Sequence, residues 1–228
     1  MEAQHTALDG SAVTVRARGL DLAKRGSSVV RAGSPRYGRT ELTAFRRQDG
    51  EEYARAMRVT LTEAFAYRNG TLRVGEEFRN GGKTLLAVWE GSRSALAFAL
   101  HNNVSAADAM AFLEDFTLSE CQTGEVTCLP RDSNRVSFED SPDVLKLVPD
   151  FGLLHMAQLT PSRGKSLPRW PGSIVAGGEL FVEDPGEERM HFVLVGRSAI
   201  TVLMPAHDAL GDRMIDELGH LEVDWSPA

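Results

Sequence analysis

Gly91-Ser92-Arg93-Ser94-Ala95-Leu96-Ala97-Phe98-Ala99-Leu100 decides the reading of this chain, because a close variant, Gly196-Arg197-Ser198-Ala199-Ile200-Thr201-Val202-Leu203-Met204, recurs further on. An offset of 104 residues pairs Ser94 with Ser198, Arg93 with Arg197, Asp108 with Asp212 and Met110 with Met214. Each copy runs into a helical pattern, over 105–116 in the first case and 208–221 in the second. The sequence therefore predicts an internal duplication.

Working outward, the first copy is preceded by the alternating stretches 71–78 and 84–89, separated by Asn80-Gly81-Gly82. The second is preceded by 173–183 and 189–195, separated by Asp184-Pro185-Gly186. Alternation bounded by Gly, Asn, Asp and Pro is the signature of strands joined by tight turns. Each half thus reads as a three-stranded meander leading into a helix. Ser105 with Asp108 three residues on approximates a capping box, and Asp208 is placed to cap the second helix. Ala106, Ala109, Met110, Leu113 and Phe116 form one apolar stripe, and Leu210, Met214, Leu218 and Leu221 the other. Stretches 41–45 and 57–67 read as further strands, the latter closed by Asn69-Gly70.

The expected class is α+β, with two related antiparallel sheet-plus-helix halves. The division is a partly ordered basic arm over 1–35, a first half over 36–121, a linker over 122–142 and a second half over 143–228. Gly, Pro, Ser, Asn and Asp crowd the linker.

Charge is uneven. The whole chain carries 25 basic and 32 acidic side chains, a formal net of −7. Residues 1–49 are net +4, which leaves −11 for the remainder. An acidic body argues against the broad electropositive surface that nonspecific nucleic-acid binding needs. The basic arm keeps a nucleic-acid accessory role as a third class, beside docking on the chain's own acids. Arginine far outnumbers lysine, which occurs only as Lys24, Lys83, Lys146 and Lys165, a bias that points to GC-rich coding and a bacterial source.

No apolar run follows a basic start, and the most apolar stretch, 190–206, is broken by His191, Gly196 and Arg197. A cytoplasmic protein without a membrane span is expected, a processed secreted fragment being the alternative. Cys121 and Cys128 enclose a short loop containing Gly124, and in an oxidising compartment they are the pair that would form a disulfide. Two thiols with no nearby histidine at finger spacing do not predict zinc.

Candidate sites were weighed residue by residue. Gly164-Lys165-Ser166 resembles the end of a phosphate-binding loop, but Leu159 stands where that pattern needs glycine and Pro168 opposes the helix that should follow. Neither a Gly-x-Ser-x-Gly elbow nor a His-Glu-x-x-His helix is present, and the six histidines share no metal-ligand spacing. His207 and Asp208 are a candidate base with its orienting carboxylate, and equally a helix start. Arg93 and Arg197 are candidate anion binders, since the planar guanidinium fork suits carboxylate or phosphate. Glu183, Asp184, Glu187 and Glu188 read as a solvated hairpin tip.

The stretch 161–172 offers the strongest contact surface. It places Arg163, Lys165, Arg169 and Trp170 in a proline-bounded loop, and Trp and Arg dominate energetic hot spots. The function expected is a non-catalytic binding or adaptor protein, part of a bacterial assembly, that meets a protein partner and uses no cofactor or metal. The alternative is a hydrolase acting on a small anionic substrate in a pocket between the halves, with Arg93, Arg197, His207 and Asp208 as its candidates. Oligomeric state is not encoded legibly.

Overall fold

The structure is a computed structural model that describes all residues except 80–81, 122, 184–189 and 207–210. It corrects the expected class: 51% of the chain is strand and 14% helix, so the protein is mainly β with antiparallel pairing and short helices, not α+β halves. The physical reason lies in stretches whose polar composition hides a period of two.

The N-terminal stretch is the clearest case. Strands β1 (Glu2–Thr6) and β2 (Ala12–Arg16) pair antiparallel, turning at Gly10, whose φ of 89° favours glycine. His5, Val13 and Val15 point to one side and are buried, while the polar residues between them face water. The expected partly ordered arm is thus a built hairpin, and β18 (Glu222–Ser226) completes its three-stranded sheet. Its cation Arg16 is paired across the sheet. Arg16 Nε lies 2.8 Å from Glu2 and its Nη1 2.6 Å from Asp224.

Next come β3 (Ser27–Ser34), β4 (Gly38–Arg46), a 3₁₀ turn (Arg47–Asp49), α1 (Gly50–Ala56), β5 (Glu63–Tyr67), β6 (Gly70–Arg79), β7 (Gly82–Glu90), β8 (Ser94–Leu100), α2 (Ala106–Glu114), β9 (Phe116–Glu120), β10 (Val126–Pro130) and β11 (Ser137–Phe138). The last third adds β12 (Asp143–Val148), β13 (Gly152–Gln158), α3 (Pro161–Gly164), β14 (Ser173–Val175), β15 (Gly178–Glu183), β16 (His191–Val195), β17 (Ala199–Pro205) and α4 (Gly211–Gly219). The chain forms two compact units. One comprises 1–7, 11–26 and 143–228, the other 8–10 and 27–142.

Six sheet strands follow the same order in both units. The second has strands in the order β3-β4-β8-β7-β6-β5, and the first has β12-β13-β17-β16-β15-β14. Equivalent backbone bonds fix the correspondence. Arg47 N–H donates to Arg93 O, as Leu159 N–H does to Ser198 O. Gly91 N–H donates to Ser94 O, as Gly196 N–H does to Ala199 O. Gly91 and Gly196, Arg93 and Ser198, and Ser94 and Ala199 are each 105 residues apart, one more than the sequence identities give. In a strand that single step exchanges the two faces.

Burial follows the offset of 105. Ala109 and Met214, Leu113 and Leu218, and Phe116 and Leu221 are all buried, whereas Met110 is only half-buried and Ile215 is exposed. The helix α2 carries a capping box, Ser105 accepting from Asp108 N–H and Asp108 accepting from Ser105 N–H. It closes a core with Leu42, Leu85, Leu96 and Phe98, and Phe112 contacts Phe98 at a ring separation of 5.1 Å. In the first unit Met214, Leu218 and Leu221 close the corresponding core over Leu154, Phe192 and Leu203.

The opposite face of each sheet holds a smaller core. Strand β8 alternates Leu96, Phe98 and Leu100 on the α2 side with Ala95 and Ala97 on the other, where Phe45, Ala54, Val59 and Val88 pack. In the first unit Phe181, Val193 and Ile200 are covered by Leu159 and Leu167. The stretch 57–62, expected as strand, instead forms part of the connection that crosses this face. The hairpin expected at Asn69-Gly70 turns one residue earlier, at Arg68-Asn69, with Tyr67 opposite Gly70 and φ of 50° at Arg68. Arg68 then donates to the carbonyls of Leu113 and Phe116 at the end of α2. Gly70 answers a close approach: a Cβ there would lie 2.3 Å from Glu90 O.

Candidate functional site

In each unit the connection between the second and third sheet strands in chain order crosses the smaller core, and each carries cations outward. In the first unit this connection is 159–172. Thr160 caps α3 by accepting from Arg163 N–H, and Pro161 takes the first turn, where its missing N–H costs nothing. Leu159 and Leu167 anchor the connection on Phe181, Val193 and Ile200.

The four sequence candidates here divide. Arg163 turns inward: its Nη2 lies 2.7 Å from Asp143 Oδ1 and its Nη1 donates to Gln158 O. Asp143 in turn holds His155, with Nε2 2.9 Å from Oδ2. Arg163 is therefore an anchor for the connection. Lys165 and Arg169 are exposed and make no ion pair among the described residues, and Trp170 is 51% exposed. Beyond them Gly172 N–H donates to Glu179 Oε1 at 2.8 Å, which ties the loop to β15. The edge strand β14 follows, with Ile174 84% exposed. Sequence reasoning passed over Ile174, because one apolar residue in a three-residue strand has no periodicity to read.

The second unit's connection, 47–62, is built differently. After α1 the chain reverses at Arg58, whose φ of 60° is a left-handed conformation, and Val59 N–H donates to Ala54 O. This turn walls a cavity of about 340 Å³ lined by Arg55, Arg58 and Arg73, with Glu51 at its edge and Ala54, Val59 and Leu61 as apolar surface. Arg73 Nη1 lies 2.9 Å from Glu51 Oε1 and 3.3 Å from Glu90 Oε1. Arg55 and Arg58 form no ion pair among the described residues.

Arg93 and Arg197 belong to different units and are not equivalent positions at the offset of 105, where Arg93 corresponds to Ser198 and Arg197 to Ser92. The turn that carries Arg93 already holds an anion. Glu120 Oε1 accepts from Arg93 N–H at 2.7 Å, Ser94 N–H at 2.8 Å and Ser94 Oγ at 2.7 Å. Its Oε2 accepts from Ser92 N–H at 3.1 Å and Ser92 Oγ at 2.5 Å. Burial pushes this carboxyl up, but the hydrogen bonds outweigh it and hold it down at about 2. Glu120 was invisible in the sequence because its partners lie some 26 to 28 residues away.

His207 and Asp208 lie outside the described residues, as do Asp184, Glu187 and Glu188. The His155–Asp143–Arg163 cluster has the orienting carboxylate of an acid–base pair, yet no hydroxyl or thiol hydrogen-bonds the ring among the described residues. Cys121 and Cys128 form no disulfide: Cys128 points into the core opposite Leu118, and burial raises its thiol beyond the ordinary range. No group of three or more His, Cys, Asp or Glu placed to hold a metal occurs among the described residues. No described helix is long and apolar enough to cross a membrane. Lys146, unremarked in the sequence, is fully buried, and its ammonium donates to the carbonyls of Leu22 and Lys24, fastening the segment after β2 to β12.

No family model, curated protein or solved structure matches the chain.

Proposed function

We propose that this chain is a non-catalytic binding or adaptor protein, cytoplasmic and part of a bacterial assembly, that presents the connection 159–172 of its first unit to an acidic protein partner. The antiparallel sheet of the first unit supplies the scaffold, and the connection supplies the contact. The exposure of Trp170 carries this reading. Tryptophan is a large amphipathic side chain that folded proteins ordinarily cover, and here it stands 51% exposed, four residues before Ile174 at 84%.

Lys165 and Arg169 give that apolar surface its sign. Cations flanking an aromatic anchor steer a partner of opposite charge and fix its register, while burial of the indole supplies most of the affinity. The anchor Arg163–Asp143–His155 holds the connection in place beforehand, which lowers the ordering cost of association.

The test is affinity capture from the native cell with the wild-type chain and with Arg169→Ala/Trp170→Ala, followed by quantitative mass spectrometry. An acidic protein enriched by wild type and depleted at least tenfold by the double variant, about 1.4 kcal/mol, is the expected result. Identical captured sets from two normally folded proteins would overturn the assignment.

A further inference from the structure

The cavity of the second unit shares no residue with the connection 159–172 and calls for a different ligand. Its wall carries three arginines and the carboxylate of Glu51, Glu90 also lies 3.3 Å from Arg73, and Arg55 and Arg58 have no ion-pair partner among the described residues. Glu51 is engaged with Arg73, but its side chain is 65% exposed and so is free to swing into solvent. Arg73 Nη1 donates to carboxylate oxygens of both Glu51 and Glu90, so the group this guanidinium takes is an oxyanion. Ala54, Val59 and Leu61 supply an apolar surface beside it, and about 340 Å³ lies within the range of small-molecule sites.

Arg58 occupies the left-handed position, φ 60°, that ends α1, with Val59 N–H donating to Ala54 O, and glycine would take this position at least cost. The same reversal brings Arg58 to the cavity beside Arg55.

We propose that this cavity binds a small organic dianion, with a phosphate or dicarboxylate head held by Arg55, Arg58 and Arg73 and a short apolar body against Ala54, Val59 and Leu61. On binding, the head displaces Glu51 from Arg73. No covalent step is involved.

The experiment titrates the full chain with phenyl phosphate, inorganic phosphate and succinate, followed by calorimetry and by amide chemical shifts. Saturable one-to-one binding is expected, with shifts centred on 55–61. Phenyl phosphate should bind about tenfold tighter than inorganic phosphate because its ring covers the apolar surface. Preference for succinate over inorganic phosphate assigns the head to a dicarboxylate, and the reverse preference assigns it to a phosphate.

Arg58→Gly separates recognition from folding, because glycine takes the left-handed conformation without strain. The variant should keep or raise its unfolding midpoint and lose at least tenfold in affinity, and Arg55→Ala should lose a comparable factor. Absence of saturable binding by all three probes up to about 10 mM, weaker than any useful recognition, overturns the proposal. So does full affinity in Arg58→Gly, or shifts centred elsewhere.

Discussion

Replacing Glu120 by glutamine keeps the side chain's shape but removes its charge and turns two acceptor lone pairs into donors. Five hydrogen bonds from Ser92, Arg93 and Ser94 converge on the native carboxylate, so the amide must face at least one N–H or O–H with a donor of its own. The size of the effect follows from the carboxyl being held at about 2 instead of 4.5. At about 1.4 kcal/mol per unit the full linkage is about 3 kcal/mol, but the side chain is only half-buried and solvent screens it, leaving about 1–2 kcal/mol.

The sign is fixed by the downward shift. Ionised Glu120 stabilises the folded state fully above the unfolded value near 4.5, and this contribution is lost as pH falls toward about 2. Urea denaturation of wild type and Glu120→Gln across pH 7 to 3.5 reads it directly. The variant should be less stable at pH 7, and the gap should narrow below about pH 4.5. A gap that is absent at pH 7, or constant down to pH 3.5, would refute the claim that this carboxylate organises the Gly91–Ser94 turn.

Two further substitutions test the packing. Met214→Asp should cost on the order of 3 kcal/mol or more, because Met214 is 1% exposed in the main core of the first unit and an unpaired carboxylate there is uncompensated; an unchanged urea midpoint would remove it from that core. Gly70→Ala should destabilise by about 1–3 kcal/mol, since the new Cβ would lie 2.3 Å from Glu90 O on the neighbouring strand, and a neutral result would show that β6 and β7 approach less closely.

Much of the strand order was legible locally. The stretches 71–78, 84–89 and 95–100 fall within β6, β7 and β8, and 199–204 falls within β17, because alternation bounded by turn residues is a short-range signal. The capping box at Ser105 and Asp108 was equally readable. What failed was long-range or weakly patterned. The hairpin β1–β2 is stabilised by β18, more than 200 residues away, and its polar face hid its period. The offset of 104 rested on identities of Arg93 with Arg197, Asp108 with Asp212 and Met110 with Met214, whereas the packed pairs Ala109 with Met214 and Phe116 with Leu221 differ in residue type. Among the proposed contact residues, Lys165, Arg169 and Trp170 were readable as a proline-bounded loop. That Arg163 would turn inward was not, since Asp143 lies on another strand. The arginine-lined cavity depends on the fold of 47–62, read in part as strand, and so had no sequence signature.

The binding claim is tested most directly at Trp170 itself. The chain contains three tryptophans, of which Trp89 and Trp225 are 5% and 3% exposed while Trp170 is 51% exposed. Fluorine NMR of the chain labelled with fluorotryptophan therefore gives one solvent-facing signal and two core signals, and the partner recovered by capture contributes none. At saturating partner the Trp170 signal should move and lose its solvent isotope shift while the two core signals stay in place; a Trp170 signal that keeps its position and its solvent shift in the complex would contradict the account.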